Sequence, residues 1–188
     1  MPRAPIFRTS PILPMLFRSF FLSLIAFIAF SMPTFAGDKY VFIIKWIGNP
    51  YWQAVKQGIE DASHKLGIDA IVVSPINDQA KEEQLNLCET AISQKPKIIA
   101  IGAATSAIGI QCFREAKKQG IKVADIDATI SISEAKHAGI PLSFTVGADN
   151  ILVGKQAASF VAANEKQKEP KILILEGIVG SPPSTDRV

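Results

Sequence analysis

The 188-residue chain carries 20 Lys+Arg against 17 Asp+Glu, with 48% apolar residues and two cysteines. Three of the arginines and none of the acids fall in the first 36 residues, which leaves 17 basic against 17 acidic residues in the remainder. That balance gives no electrostatic reason to invoke nucleic acid as a partner.

The opening residues 1–36 read as a secretory signal peptide. Arg3, Arg8 and Arg18 form a basic leader, "FFLSLIAFIAF" is a short apolar core, and "PTFA" ends on small Ala36 as the cleavage residue. The apolar run is shorter than the roughly 20 residues a spanning helix needs. Cleavage and release into the bacterial periplasm are therefore expected, with no stable membrane insertion afterwards.

Beyond Ala36, apolar runs and amphipathic segments alternate. Strands are predicted at "YVFIIKW" from Tyr40, "DAIVVS" from Asp69, "KIIAIG" from Lys97, "KVADID" from Lys122, "SFTVGA" from Ser143 and "KILILEG" from Lys171. Their continuous Ile/Val character predicts strands buried on both faces, as in a parallel sheet. Helices are predicted at about 50–66, 79–94, 106–119 and 150–164. In the first, Asn49 suits the N-cap and Pro50 the first helical position, and Trp52, Val55, Ile59, Ala62 and Leu66 form one apolar stripe. Gly67 and Gly120 stand where C-terminal caps belong. "NDQAKEEQ", from Asn77, reads as a capped and solvated helix start.

Repeated βα units with right-handed crossovers make an α/β fold, a doubly wound parallel sheet with helices on both faces. In such sheets ligands bind beyond the carboxyl ends of the strands. Lys45, Asn49, Tyr51 and Trp52 follow the first strand, and Ser74 and Asn77 the second. Thr105 and Ser106 follow the third, and Asp127 ends the fourth. All converge on one edge. Tyr51 lies off the apolar stripe and belongs to that edge, whereas Trp52 suits either the core or the site.

No enzyme signature is present. The first strand is followed by neither GxGxxG nor a Walker lysine loop, and His64 and His137 accompany no nucleophile motif. No cofactor or metal is implied, because Cys88 and Cys112 have no partners at ligand spacing. The two cysteines leave two readings open, a disulfide in an oxidising compartment or a pair of small buried hydrophobes. What remains is aromatics among polar groups, which suits a neutral polyhydroxylated molecule: C–H faces stack on rings while hydroxyls need donors and acceptors.

The chain resembles the ribose-type periplasmic binding proteins of ABC sugar transporters, the type I periplasmic binding fold, from Tyr40 onward. "NPYW" is similar to that family's Asn-Pro-aromatic-aromatic motif, which implies ligand roles for Asn49, Tyr51 and Trp52. Lys45 sits where arabinose-binding relatives place a lysine on the sugar, "GADNILVGKQAASFV" puts Asn150 at a ligand position, and "EGIVGSPPSTDR" resembles the loop that delivers an arginine, here Arg187. Ala128 follows Asp127 where ribose binders place Arg, so the resemblance does not imply ribose itself. The expected ligand set is Lys45, Asn49, Tyr51, Trp52, Thr105, Asp127, Asn150 and Arg187. The resemblance implies a sugar or polyol ligand and an ABC transporter permease as partner, or alternatively a membrane sensor kinase. It also implies a first lobe over 37–147 and the beginning of an incomplete second lobe over 148–188.

Overall fold

The computed structural model describes residues 39–167 and 169–188. The expected signal peptide over 1–36 lies outside the described residues. Among the described residues, no helix is long and apolar enough to cross a membrane.

Five parallel strands form one sheet: β1 (Lys39–Ile43), β2 (Asp69–Val73), β3 (Ile98–Ile101), β4 (Lys122–Ile126) and β5 (Leu142–Val146), in the order β2-β1-β3-β4-β5. Between and after them run α1 (Pro50–Leu66), α2 (Lys81–Ser93), α3 (Ser106–Lys118), α4 (Ile132–His137), α5 (Asn150–Asn164) and α6 (Pro182–Thr185). The strand order reverses once, after β2. Right-handed crossovers then put α1 on one face and α2, α3 and α4 on the other. This is the doubly wound α/β sheet expected from the sequence.

The main core lies under α2, α3 and α4. Val41, Ile43, Ile99, Ile101 and Val123 of the sheet meet Cys88, Cys112, Phe113 and Ala116, all nearly inaccessible. Cys88 of α2 and Cys112 of α3 are joined in a disulfide, with Cα atoms 5.9 Å apart, which resolves the choice the sequence left open.

Three expectations need correction. The α1 stripe is only half-buried: Trp52 is enclosed, Val55 and Ile59 are partly covered, and Ala62 and Leu66 are exposed. Helix α1 covers the sheet along Trp52, Lys56, Ile59 and Ser63, the line a 3.6-residue repeat traces. Secondly, β5 is not buried on both faces. As an edge strand it leaves Phe144 and Val146 exposed. Thirdly, the segment from Lys171 forms no strand, and Leu173 and Leu175 are more than four-fifths exposed. A strand needs a ladder partner, and among the described residues none is paired with it.

Candidate functional site

The site is assembled where the strand order reverses. After β1 the chain turns into α1, where Asn49 adopts extended backbone angles and its Oδ1 accepts the Tyr51 N–H at 3.0 Å. This cap, with Pro50 at the first helical position, fixes where the two aromatics stand. Tyr51 is 54% exposed and Trp52 only 3%. Their rings meet edge to face, with centroids 5.1 Å apart and planes at 89°. The indole lies against the end of β3, where a Cβ on Gly102 would come within 2.5 Å of it. Trp52 is thus a core residue, and it also lies in the lining of the cleft.

Asp127 follows β4 directly. It and Ala128 both take left-handed backbone angles, with φ of 71° and 48°. The Asp127 Oδ2 accepts a hydrogen bond from Lys45 Nζ at 2.8 Å, and Tyr51 OH reaches its Oδ1 at 3.5 Å. Lys45 Nζ also lies 5.5 Å from the Trp52 ring centroid, within cation–π range. Partial burial, then the neighbouring Asp127 carboxylate, push the Tyr51 hydroxyl above its usual pKa, so it stays a neutral donor at working pH.

Opposite these groups, Arg187 Nε donates to Asn150 Oδ1 at 2.8 Å. Asn150 is 5% exposed and opens α5 immediately after the cap residue Asp149. The cleft between them has a volume of about 600 Å³. Six of the eight expected residues line it: Lys45, Asn49, Tyr51, Trp52, Asp127 and Arg187. Asn150 stands behind Arg187 and orients it. Thr105 is not part of this lining. Its hydroxyl turns back to cap α3, accepting the Ile108 N–H at 3.4 Å, and it borders a separate hollow with Arg114 and His137. Among the described residues no group of three or more His, Cys, Asp or Glu gathers as metal ligands.

The arrangement brings a stacking face, the Asp127 carboxylate beside Lys45, the further carboxylates of Asp78 and Glu176, and the donors Lys45, Tyr51 and Arg187 into a single cleft. Residues 40–188 match the family described as the periplasmic binding protein domain. The chain belongs to that family. The D-allose-binding periplasmic protein of Escherichia coli is 29% identical over 151 residues, covering 80% of this chain and 49% of that protein. The ribose import binding protein RbsB of Bacillus subtilis is 28% identical over 159 residues, covering 82% and 49%. Among solved structures, an ABC transporter periplasmic solute binding protein from Actinobacillus succinogenes with bound D-allose is similar, with a TM-score of 0.67 and 29% identity. That likeness covers 80% of this chain and 51% of the other. The chain spans about half the length of the curated relatives it matches.

This periplasmic binding domain also holds residues that sequence reasoning missed. Gln84, within the stretch expected to be a solvated helix start, is fully buried. Its Nε2 donates to the carbonyls of Ile44 and Gly102, and its Oε1 accepts the Ala104 N–H at 2.8 Å. One side chain thus ties the ends of β1 and β3, directly behind Lys45 and Trp52. Helix α4 was also missed, although Ser131 and Glu134 form a complete capping box that the spacing Ser-x-x-Glu announces.

Proposed function

We propose that this chain forms the cleft-bearing part of a periplasmic solute-binding protein that captures a sugar or polyol for an ABC transporter, without catalysis. One observation carries this reading: an exposed Tyr51 ring stands beside a Lys45–Asp127 pair in an open cleft. A pyranose or a polyol can lay C–H surface on the ring while its hydroxyls donate to Asp127 and accept from Lys45 and Arg187. Relatives named for D-allose and ribose support the ligand class. On this reading residues 1–36 are removed as a signal peptide, the mature chain works in the periplasm, and the permease is its partner. Residues 37–147 would form one lobe and 148–188 the start of the other, with Asn150 and Arg187 the contribution of the second.

A thermal-shift screen of monosaccharides and polyols on the full chain tests the reading. A ligand that binds only the folded state raises the melting temperature as its concentration passes Kd. A flat response to every sugar and polyol, with folding verified by circular dichroism, would reject it.

Tyr51→Ala separates the site from the scaffold. Because Tyr51 is more than half exposed, the unliganded melting temperature should barely move. Loss of its stacking area should weaken binding by about 1–3 kcal/mol, read by calorimetry. An unchanged affinity with a large drop in melting temperature would move Tyr51 into the scaffold.

A further inference from the structure

Asp125 is completely buried, lies two residues before Asp127, and does not line the cleft. Burying a carboxyl is costly unless its oxygens are hydrogen-bonded, so its partners matter. Thr129 Oγ1 donates to Asp125 Oδ1 at 2.9 Å, and Thr145 Oγ1, on neighbouring β5, donates to Oδ2 at 2.9 Å. The Ile130 backbone N–H also bonds to this carboxyl. Asp125 therefore joins the strand before the turn, the residues after the turn and the adjacent strand.

Between those anchors the backbone does something unfavourable. Asp127 and Ala128 are consecutive non-glycine residues with positive φ, a conformation that persists only where surrounding structure holds it. Asp127 N–H donates to Val146 O at 2.7 Å. Gly147 packs so closely that a Cβ on it would stand 2.5 Å from that of Ala128. Ser106 of α3 donates to Thr129 O at 2.8 Å. An extended continuation of β4 would carry the Asp127 carboxylate away from Lys45, so the turn is what presents it to the cleft.

We propose that Asp125 is a positioning residue of the binding cleft, holding Asp127 in its ligand-facing orientation through Thr129 and Thr145. The proposal rests on the sugar-binding reading for its ligand, but the conformational coupling is measurable without one. A carboxylate accepts from all three donors at once. A carboxylic acid turns one oxygen into a donor, so one threonine hydroxyl must switch from donating to accepting and the hold on the turn changes. Thr129 Oγ1 has the Ile126 carbonyl at 3.2 Å for its own proton. Burial raises the Asp125 carboxyl to about 6, opposed by the hydrogen bonds from Thr129, Thr145 and Ile130 and assisted by the charge of Asp127. Lys45, from the segment after β1, faces Asp127 and offsets that charge. The sign for stability is the reverse of an ordinary ion-paired acid. The folded state holds this proton more tightly than the unfolded chain, so the Asp125 contribution to stability increases as pH falls through about 6. The contribution to cleft geometry falls over the same window.

The test is carbon and amide NMR of the full chain from pH 5 to 8, followed by calorimetric titration with D-allose and D-ribose. We expect the Asp127 carboxyl and the Ala128 and Gly147 amide signals to move with the same midpoint as the Asp125 carboxyl. Asp125→Asn, close in shape and unable to titrate, should abolish that common midpoint. It should also weaken sugar binding at least tenfold at pH 7, although no cleft-lining group has changed. Asp127 and Ala128 signals that ignore the Asp125 titration, or an Asn variant with wild-type spectra and wild-type affinity, would overturn the proposal. Coupled signals with no response to any sugar would instead uphold the positioning role and reject the ligand reading.

Discussion

Replacing Asp127 by Asn should lower sugar affinity roughly a hundredfold, about 3 kcal/mol, and replacing Lys45 by Met should cost distinctly less. Asp127 is the cleft carboxylate beside Tyr51 and Lys45, and a carboxylate can hold two ligand hydroxyls by charge-assisted hydrogen bonds. Lys45 already spends one donor on Asp127 at 2.8 Å. Their mutual dependence gives a second result. The two side chains are only 10% and 16% exposed, so removing either partner strands a charge with little water around it. Each single substitution should destabilise the free protein by about 2–3 kcal/mol, at or below the usual cost of breaking a buried pair because this one borders an open cleft. The double variant Lys45→Met with Asp127→Asn should recover much of that stability and none of the affinity. Denaturant midpoints for the four proteins of the cycle measure the coupling. Additive losses of stability, or an Asp127→Asn variant that binds sugar like the parent, would show that the pair is neither coupled nor at the ligand.

The scaffold of this site was legible in the sequence because it depends on local rules. Asn49 and Pro50 announced the start of α1, and Gly67, with φ of 64°, its end. Continuous Ile/Val runs announced the five strands, and the strand ends placed Lys45, Tyr51 and Asp127 on one edge. What was missed depends on neighbours distant in sequence. Gln84 looks like one more polar residue of an acidic helix start, and only the nearby carbonyls of Ile44 and Gly102 make it a buried strut. Asp125 looks like a polar interruption in a strand, and its burial follows from Thr145 pairing beside it. Thr105 was placed correctly after β3, but its hydroxyl had a local alternative in capping α3 and took it. The run from Lys171 shows the same limit in reverse. Its apolar character led to an expected strand, but the segment forms none, and with no strand paired to it among the described residues Ile172, Leu173, Ile174 and Leu175 are left exposed.

The disulfide is where topology and compartment meet, and breaking it should have the second large effect. Cys88 and Cys112 are both fully buried and lie 24 residues apart in sequence, on α2 and α3, two of the three helices that cover the main core. Closing a loop of that size restricts the unfolded chain by about 3.5 kcal/mol in the chain-entropy account. The loop spans the end of α2, all of β3 and the first half of α3, so the bridge constrains the segment that carries Gly102 and the floor beneath Trp52. Reduced protein should therefore unfold at a clearly lower denaturant concentration than oxidised protein, by about 3 kcal/mol. Because the sulfurs are inaccessible, reduction of the native protein should be slow and should follow opening of the α2–α3 pair. Cys88→Ala with Cys112→Ala should match the reduced protein within the further cost of two small cavities. Maleimide labelling of the unreduced chain in denaturant decides the matter independently. Rapid modification of both thiols, with denaturation midpoints unaffected by reductant, would mean that α2 and α3 are held by packing alone.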